Sequence, residues 1–129
     1  MNLLLDTHIF LWLITGNPRL DETVKTTIEQ PENAVFLSVA SVWECVIKQQ
    51  LGKLPLPDDA AIYLSQQREN HFIDSLNIDE VSVSQLSQLP MLHRDPFDRI
   101  LMGQALRYGL TLVTVDAAIK QYAVPVLSW

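Results

Sequence analysis

The stretch Asp95–Asp116, DPFDRILMGQALRYGLTLVTVD, holds a complete helix-to-strand unit. Asp95 suits the N-cap of a helix. Pro96 suits its first turn, where a missing N–H is harmless, and Asp98 faces the positive end of the helix dipole. The pattern predicts a helix over Pro96–Tyr108. Leu110–Val115 is apolar and β-branched and reads as a strand, with Asp116 directly after it.

The same alternation extends outward. Leu3–Leu5 reads as a buried strand, followed by a helix carrying Ile9, Phe10, Trp12 and Leu13 that Asn17-Pro18 breaks. A helix from about Asp21 to Glu29 ends before Pro31, and Ala34–Leu37 is a second strand. Val39, Val42, Trp43, Val46, Ile47 and Leu51 recur at helical spacing, with Ser38 as N-cap and Gly52 as the stop. Beyond the loop at Pro55 and Pro57 come a helix over Asp58–Glu69, a weaker strand over Phe72–Leu76 and a short helix at Val81–Gln88. Past Asp116, a short helix over Ala117–Gln121 and a strand over Val124–Leu127 close the chain. Strands alternating with helices predict a three-layer α/β/α sandwich with a central, mostly parallel sheet. The expectation is one domain spanning residues 1–129.

Hydrophobic residues make up 48% and charged residues 19% of the 129, enough to bury a core and to exclude disorder. The net charge of −6 opposes generic binding to nucleic acid, which needs Lys and Arg against phosphate. Cys45 is the only cysteine, which excludes a disulfide framework and a cysteine zinc cluster and suits a reducing cytoplasm. The N-terminus has no basic region and Asp6 interrupts its apolar run, so neither a signal peptide nor a membrane span is expected.

Four acids lie just past strand ends. Asp6 follows the first strand and Asp116 the strand Leu110–Val115. Glu44 sits in the helix after the second strand, and Asp98 opens the helix Pro96–Tyr108. Each has a plainer reading. Asp6 and Asp116 fit N-caps, Asp98 a first-turn acid, and Glu44 either a capping box with Ser41 or a pair with Lys48 four residues on. Caps, however, would satisfy separate helix ends and share nothing. In an open parallel sheet, ligands bind outside the carboxyl ends of the strands. Four acids gathered there would repel one another unless a cation neutralised them. Oxygen donors of this kind select a hard divalent ion, Mg²⁺ or Mn²⁺. Setting the four aside reduces the net charge from −6 to −2, so the excess is largely local. His93, Arg94 and Arg99 flank Asp98. Arg94 and Arg99 are candidate phosphate contacts, although Arg99 also stands four residues from Asp95. His93 is read as a supporting or surface residue, because oxygen donors dominate. Trp12, Trp43, Trp129, Phe10 and Tyr108 read as core or interface residues.

The motifs LLLDTH at residues 3–8, SVASVWE at 38–44, HRDPFDRILMGQA at 93–105 and LVTVD at 112–116 resemble the PIN domain. More narrowly they resemble the VapC toxins of bacterial toxin–antitoxin pairs, over nearly the whole chain. That resemblance implies a metal-dependent endoribonuclease with Asp6, Glu44, Asp98 and Asp116 as its catalytic, metal-binding acids. It implies Thr114 before the fourth acid, with Asp95 and Thr7 as auxiliary candidates. The implied cofactor is Mg²⁺ or Mn²⁺. The implied partners are an RNA substrate and a cognate antitoxin protein covering the acidic site, with a homodimer as the expected assembly. Asp6 and Asp98 are expected to hold the principal metal, Asp116 to complete or bridge the site, and Glu44 to bind metal or orient water.

Two rivals share the layout. A phosphoacceptor receiver domain wants an adjacent acidic pair after the first strand, where Asp6 is followed by Thr7, and a Lys near the last strand, where Val124-Pro125-Val126 has none. A haloacid-type phosphatase wants a second Asp two residues after the first, where His8 stands. A catalytically inactive binding module of the same fold is the remaining alternative.

Overall fold

The computed structural model describes all residues, 1–129. In order, its elements are β1 (Asn2–Leu5), α1 (Thr7–Thr15), α2 (Glu22–Glu29), β2 (Ala34–Ser38), α3 (Val39–Gln50), α4 (Ala60–Asn70), β3 (Asp74–Leu76), α5 (Glu80–Ser84), α6 (Pro96–Tyr108), β4 (Thr111–Val113) and β5 (Val126–Leu127). Single 3₁₀ turns occupy Gln85–Gln88 and Ile119–Gln121. The five strands pair in the order β3-β2-β1-β4-β5, and every pair is parallel.

Both faces of this sheet are covered, which explains why Leu3, Leu4 and Leu5 form an unbroken apolar run. Side chains alternate across it. Leu3, Leu5, Val35, Leu37 and Val113 enter one core with Ile9, Phe10 and Leu13 of α1, Val24 and Ile28 of α2, Cys45 of α3 and Leu64 of α4. Leu4 and Leu112 enter the other core with Leu101, Met102 and Ala105 of α6, and Ile119, Tyr122 and Val124 beyond β4. No helix is long and apolar enough to cross a membrane.

The strand order creates the functional edge. The chain runs outward from β1 to β2 and β3, then returns on α5 and α6 to place β4 against the other side of β1. Two neighbouring central strands thus send their connections in opposite directions, which opens a crevice at their carboxyl ends. Leu5 of β1 pairs with Val113 of β4, and the Asp6 amide donates to the Val113 carbonyl at 3.0 Å. Asp6 and Thr114 therefore emerge side by side.

Most elements fall where the sequence puts them; β1 and β2 are each one residue longer than expected, and β3, β4 and β5 are shorter. Thr114 and Val115 leave β4 because Thr114 turns its hydroxyl to the site, accepting the Asp116 amide at 3.0 Å. The expected helix over 81–88 is one helical turn followed by a 3₁₀ turn, and that over 117–121 is 3₁₀ over Ile119–Gln121. Ser38 caps α3 by accepting the Ala40 amide, which removes the capping-box reading of Ser41 and Glu44. Phe10 is core, but Trp43 is 59% exposed and Trp129 and Tyr108 are also exposed. The Trp43 ring packs edge-on to Phe97, with the ring centroids 5.1 Å apart.

Helix α6 is buried almost all round between the sheet and α5. At Gly103 a Cβ would lie 2.5 Å from the Ser82 carbonyl oxygen. Gly103→Ala is expected to destabilise the protein by about 1–3 kcal/mol, because a backbone atom must move and alanine's better helix propensity recovers only part. Chemical denaturation measures it, and an unchanged or raised midpoint would contradict the close approach.

Candidate metal centre and active site

Three acids converge at the crevice between β1 and β4. Asp6 is buried directly after β1. It occupies the N-cap position of α1 but makes no capping hydrogen bond. Its Oδ2 instead accepts from the Thr114 hydroxyl at 2.7 Å, and the same hydroxyl oxygen accepts the Asp116 amide. Thr114, fully buried, thereby ties the first acid to the fourth. Asp116 keeps part of its cap role, since its Oδ1 accepts the Ala118 amide at 2.8 Å. Asp98 is buried in the first turn of α6, held there because Asp95 caps that helix through the Phe97 amide at 2.9 Å.

Electrostatics records the crowding. Burial pushes the Asp98 carboxyl up to about 7. The His93 hydrogen bond opposes that shift, while Asp6, Asp95 and Asp116 add to it. Burial also raises Asp6, against the Thr114 hydrogen bond, with Asp116 adding repulsion. His93 Nε2 lies 2.7 Å from Asp98 Oδ2 and 4.0 Å from Asp116 Oδ2. That hydrogen bond to Asp98 raises the imidazole.

Glu44 stands to one side. Its Oε1 accepts from the Thr7 hydroxyl at 2.9 Å, and its Oε2 pairs with Lys48 at 2.8 Å. Thr7 also lies 2.9 Å from the Ser41 hydroxyl. Glu44 reaches the acidic centre only through Thr7, next in sequence to Asp6. Both of its oxygens are engaged, so the i,i+4 pairing describes part of its role.

Arg99 corrects an expectation. It is buried, not presented to phosphate. Its guanidinium donates to the carbonyls of Leu86, Leu89, Pro90 and His93 and to the Tyr122 hydroxyl, at 3.0–3.3 Å. Nor is it paired with Asp95. A guanidinium offers five donors in a fixed fork, which suits a tight loop with several inward carbonyls. Arg94, in contrast, is exposed. Tyr122 is a supporting residue that the sequence does not mark. Its hydroxyl accepts the His93 amide at 2.8 Å and donates to Pro90 at 2.7 Å, contacts with no local sequence signal.

Thr114→Val keeps the shape of the side chain but leaves Asp6 and the Asp116 amide without their shared partner. A loss of about 1–3 kcal/mol in stability is expected. Thr114→Ser should retain most of it, and equal stability of the two variants would refute the bridge.

Carboxylates gathered at the switch point of an all-parallel sheet define an acidic α/β domain suited to a divalent cation. The chain belongs to the PIN domain family, whose model matches residues 3–125. Ribonuclease VapC16 of Mycobacterium tuberculosis is 33% identical over 55 residues, a match spanning 43% of this chain and 39% of that relative. VapBC-1 from nontypeable Haemophilus influenzae superposes with a TM-score of 0.72 at 17% identity, covering 100% of this chain and 98% of the other. VapBC2 from Rickettsia felis, bound to a DNA fragment from its promoter, gives 0.71 at 14% identity, covering 100% and 99%. At these identities the structural likeness is one of fold.

Proposed function

We propose that this protein is a metal-dependent endoribonuclease and the toxin of a toxin–antitoxin pair. The observation that carries the reading is the meeting of Asp6, Asp98 and Asp116 from three separate segments, two of them with raised pKa, in a PIN domain. Two buried carboxylates and a half-exposed third at one crevice fit a hard divalent ion, and Lys48 is occupied by Glu44. Asp98, Asp116 and Asp6 would hold Mg²⁺ or Mn²⁺, with Glu44 orienting groups through Thr7 and Lys48. Such an ion lowers the pKa of bound water and neutralises phosphoryl oxygens. The chain's own groups would orient the phosphodiester: Thr114 fixes Asp6 and Asp116, and exposed Arg94 is the candidate contact for a neighbouring phosphate. The partial match to a curated ribonuclease supports the RNA substrate.

An antitoxin is the partner supported by the VapBC likenesses. Beside the acids, Trp43, Ile78, Val83, Pro96, Phe97 and Ile100 line an apolar groove of about 230 Å³, a seat for the apolar face of an antitoxin helix.

The purified chain, incubated with mixed RNA, should cleave it internally with Mg²⁺ or Mn²⁺ and stop on chelation. No cleavage with metal, or equal cleavage with chelator, would sink the enzyme reading.

A further inference from the structure

We infer that His93 is a direct nitrogen ligand of the metal centre, alongside Asp98 and Asp116, and that it biases the site toward Mn²⁺ over Mg²⁺. The inference rests on the metal-dependent reading above and adds to it a residue outside the four acids.

One nitrogen and two carboxylate oxygens, from His93, Asp98 and Asp116, all lie within 4.8 Å of one another. Two ligands of one octahedral ion at about 2.1 Å lie about 3.0 Å apart when adjacent and about 4.2 Å apart when opposite. The distances from His93 Nε2, 2.7 Å to Asp98 and 4.0 Å to Asp116, fall close to that span. Asp6 lies outside this trio, tied to Asp116 through Thr114.

The second observation is the framework behind the imidazole. His93 has both backbone groups fixed: its amide donates to Tyr122 and its carbonyl accepts from Arg99. A buried guanidinium committed to loop carbonyls is a demanding way to hold a surface turn, since its desolvation must be offset by several good hydrogen bonds. What that turn delivers to the crevice is the His93 ring. Its side chain is 21% exposed. The ring makes its hydrogen bond to Asp98 through Nε2, the atom that would coordinate, so an ion between them would replace that bond.

The selectivity follows from donor chemistry. Mg²⁺ is a hard ion that keeps oxygen ligands and waters, whereas transition ions accept imidazole readily. Replacing one oxygen donor by imidazole therefore favours Mn²⁺.

The test uses the full chain loaded with Mn²⁺ alone. Pulsed electron paramagnetic resonance should show a directly coordinated ¹⁴N on the bound Mn²⁺. His93→Ala and His93→Gln should both lose it, which separates His93 from His8, the histidine next to Asp6 in the chain. Calorimetric titration should show Mn²⁺ affinity falling roughly tenfold or more in both variants and Mg²⁺ affinity much less. A role confined to orienting Asp98 would weaken both ions alike, since outer-shell partners also contribute about 10–100-fold. Equal weakening, or no change, overturns the inference. Bound Mn²⁺ without nitrogen coupling in the unsubstituted protein overturns it while leaving the metal-dependent nuclease intact. Failure to bind either ion overturns both.

Discussion

Asp98→Asn is expected to lower RNA cleavage by at least about a hundredfold and yet to leave the metal-free protein more stable near neutral pH. The two effects share one cause. Asp98 is buried among Asp6, Asp95 and Asp116, and its carboxyl titrates near 7 against an ordinary value of 3.8. Between those values the folded chain holds a proton that the unfolded chain releases. Stability therefore falls as pH rises from about 4 to about 7, and the full penalty stands above 7. Asparagine carries no charge and escapes the penalty. Without metal, the stability advantage of Asp98→Asn over the original protein should widen across that window. Added Mn²⁺ or Mg²⁺ should stabilise the original protein by mass action and reverse the order. Denaturation at several pH values, with and without metal, checks the pattern. An advantage that shrinks with rising pH would show that Asp98 is not held protonated by its surroundings. Asp6→Asn should behave alike in cleavage, since Asp6 caps nothing and its loss leaves α1 intact.

Arg99→Ala is expected to cost about 3–5 kcal/mol, a large share of the stability of a domain this size. Removing the guanidinium strips donors from the carbonyls of Leu86, Leu89, Pro90 and His93 and from Tyr122. Arg99→Lys should recover only part, because an ammonium cannot reproduce the planar fork. Activity should fall as well, through displacement of His93 from Asp98 and not through lost contact with RNA. Exposed Arg94 gives the contrast. Arg94→Ala should change stability by no more than about 0.5 kcal/mol while weakening RNA binding and its salt dependence. Comparing melting with RNA binding for the two variants separates the roles. A stable Arg99→Ala with selectively weakened RNA binding would return Arg99 to the phosphate-binding group.

Arg94 and Arg99 differ in a way no local pattern carries. Both flank Asp98, and nothing in HRDPFDR distinguishes a buried guanidinium from an exposed one. The distinction depends on a loop turning its carbonyls inward and on Tyr122, far along the chain, closing the cage. The place of His93 has no local signal for the same reason. Its distance to Asp98 is set by that cage. The differences at the end of β4 and in the short helices are of one kind. Residues near the sheet rim obey the site or the edge, where local periodicity no longer reports burial.

The sequence alone determined the layers and the parallel sheet, and it offered four candidate acids. Alternating apolar runs and helical stripes, punctuated by Pro and Gly, leave few ways to bury both faces of a sheet. Asp6, Glu44, Asp98 and Asp116 could be singled out because each follows the end of such a unit. Only the tertiary structure ranked them. Strand order sets β4 against β1, so Asp6, Asp98 and Asp116 share one crevice while Glu44 is held a hydroxyl away by Thr7. Whether a carboxylate caps a helix or awaits a cation depends on which oxygen is already satisfied and by what. Those partners come from residues as distant as Thr114 from Asp6, beyond the reach of any local pattern.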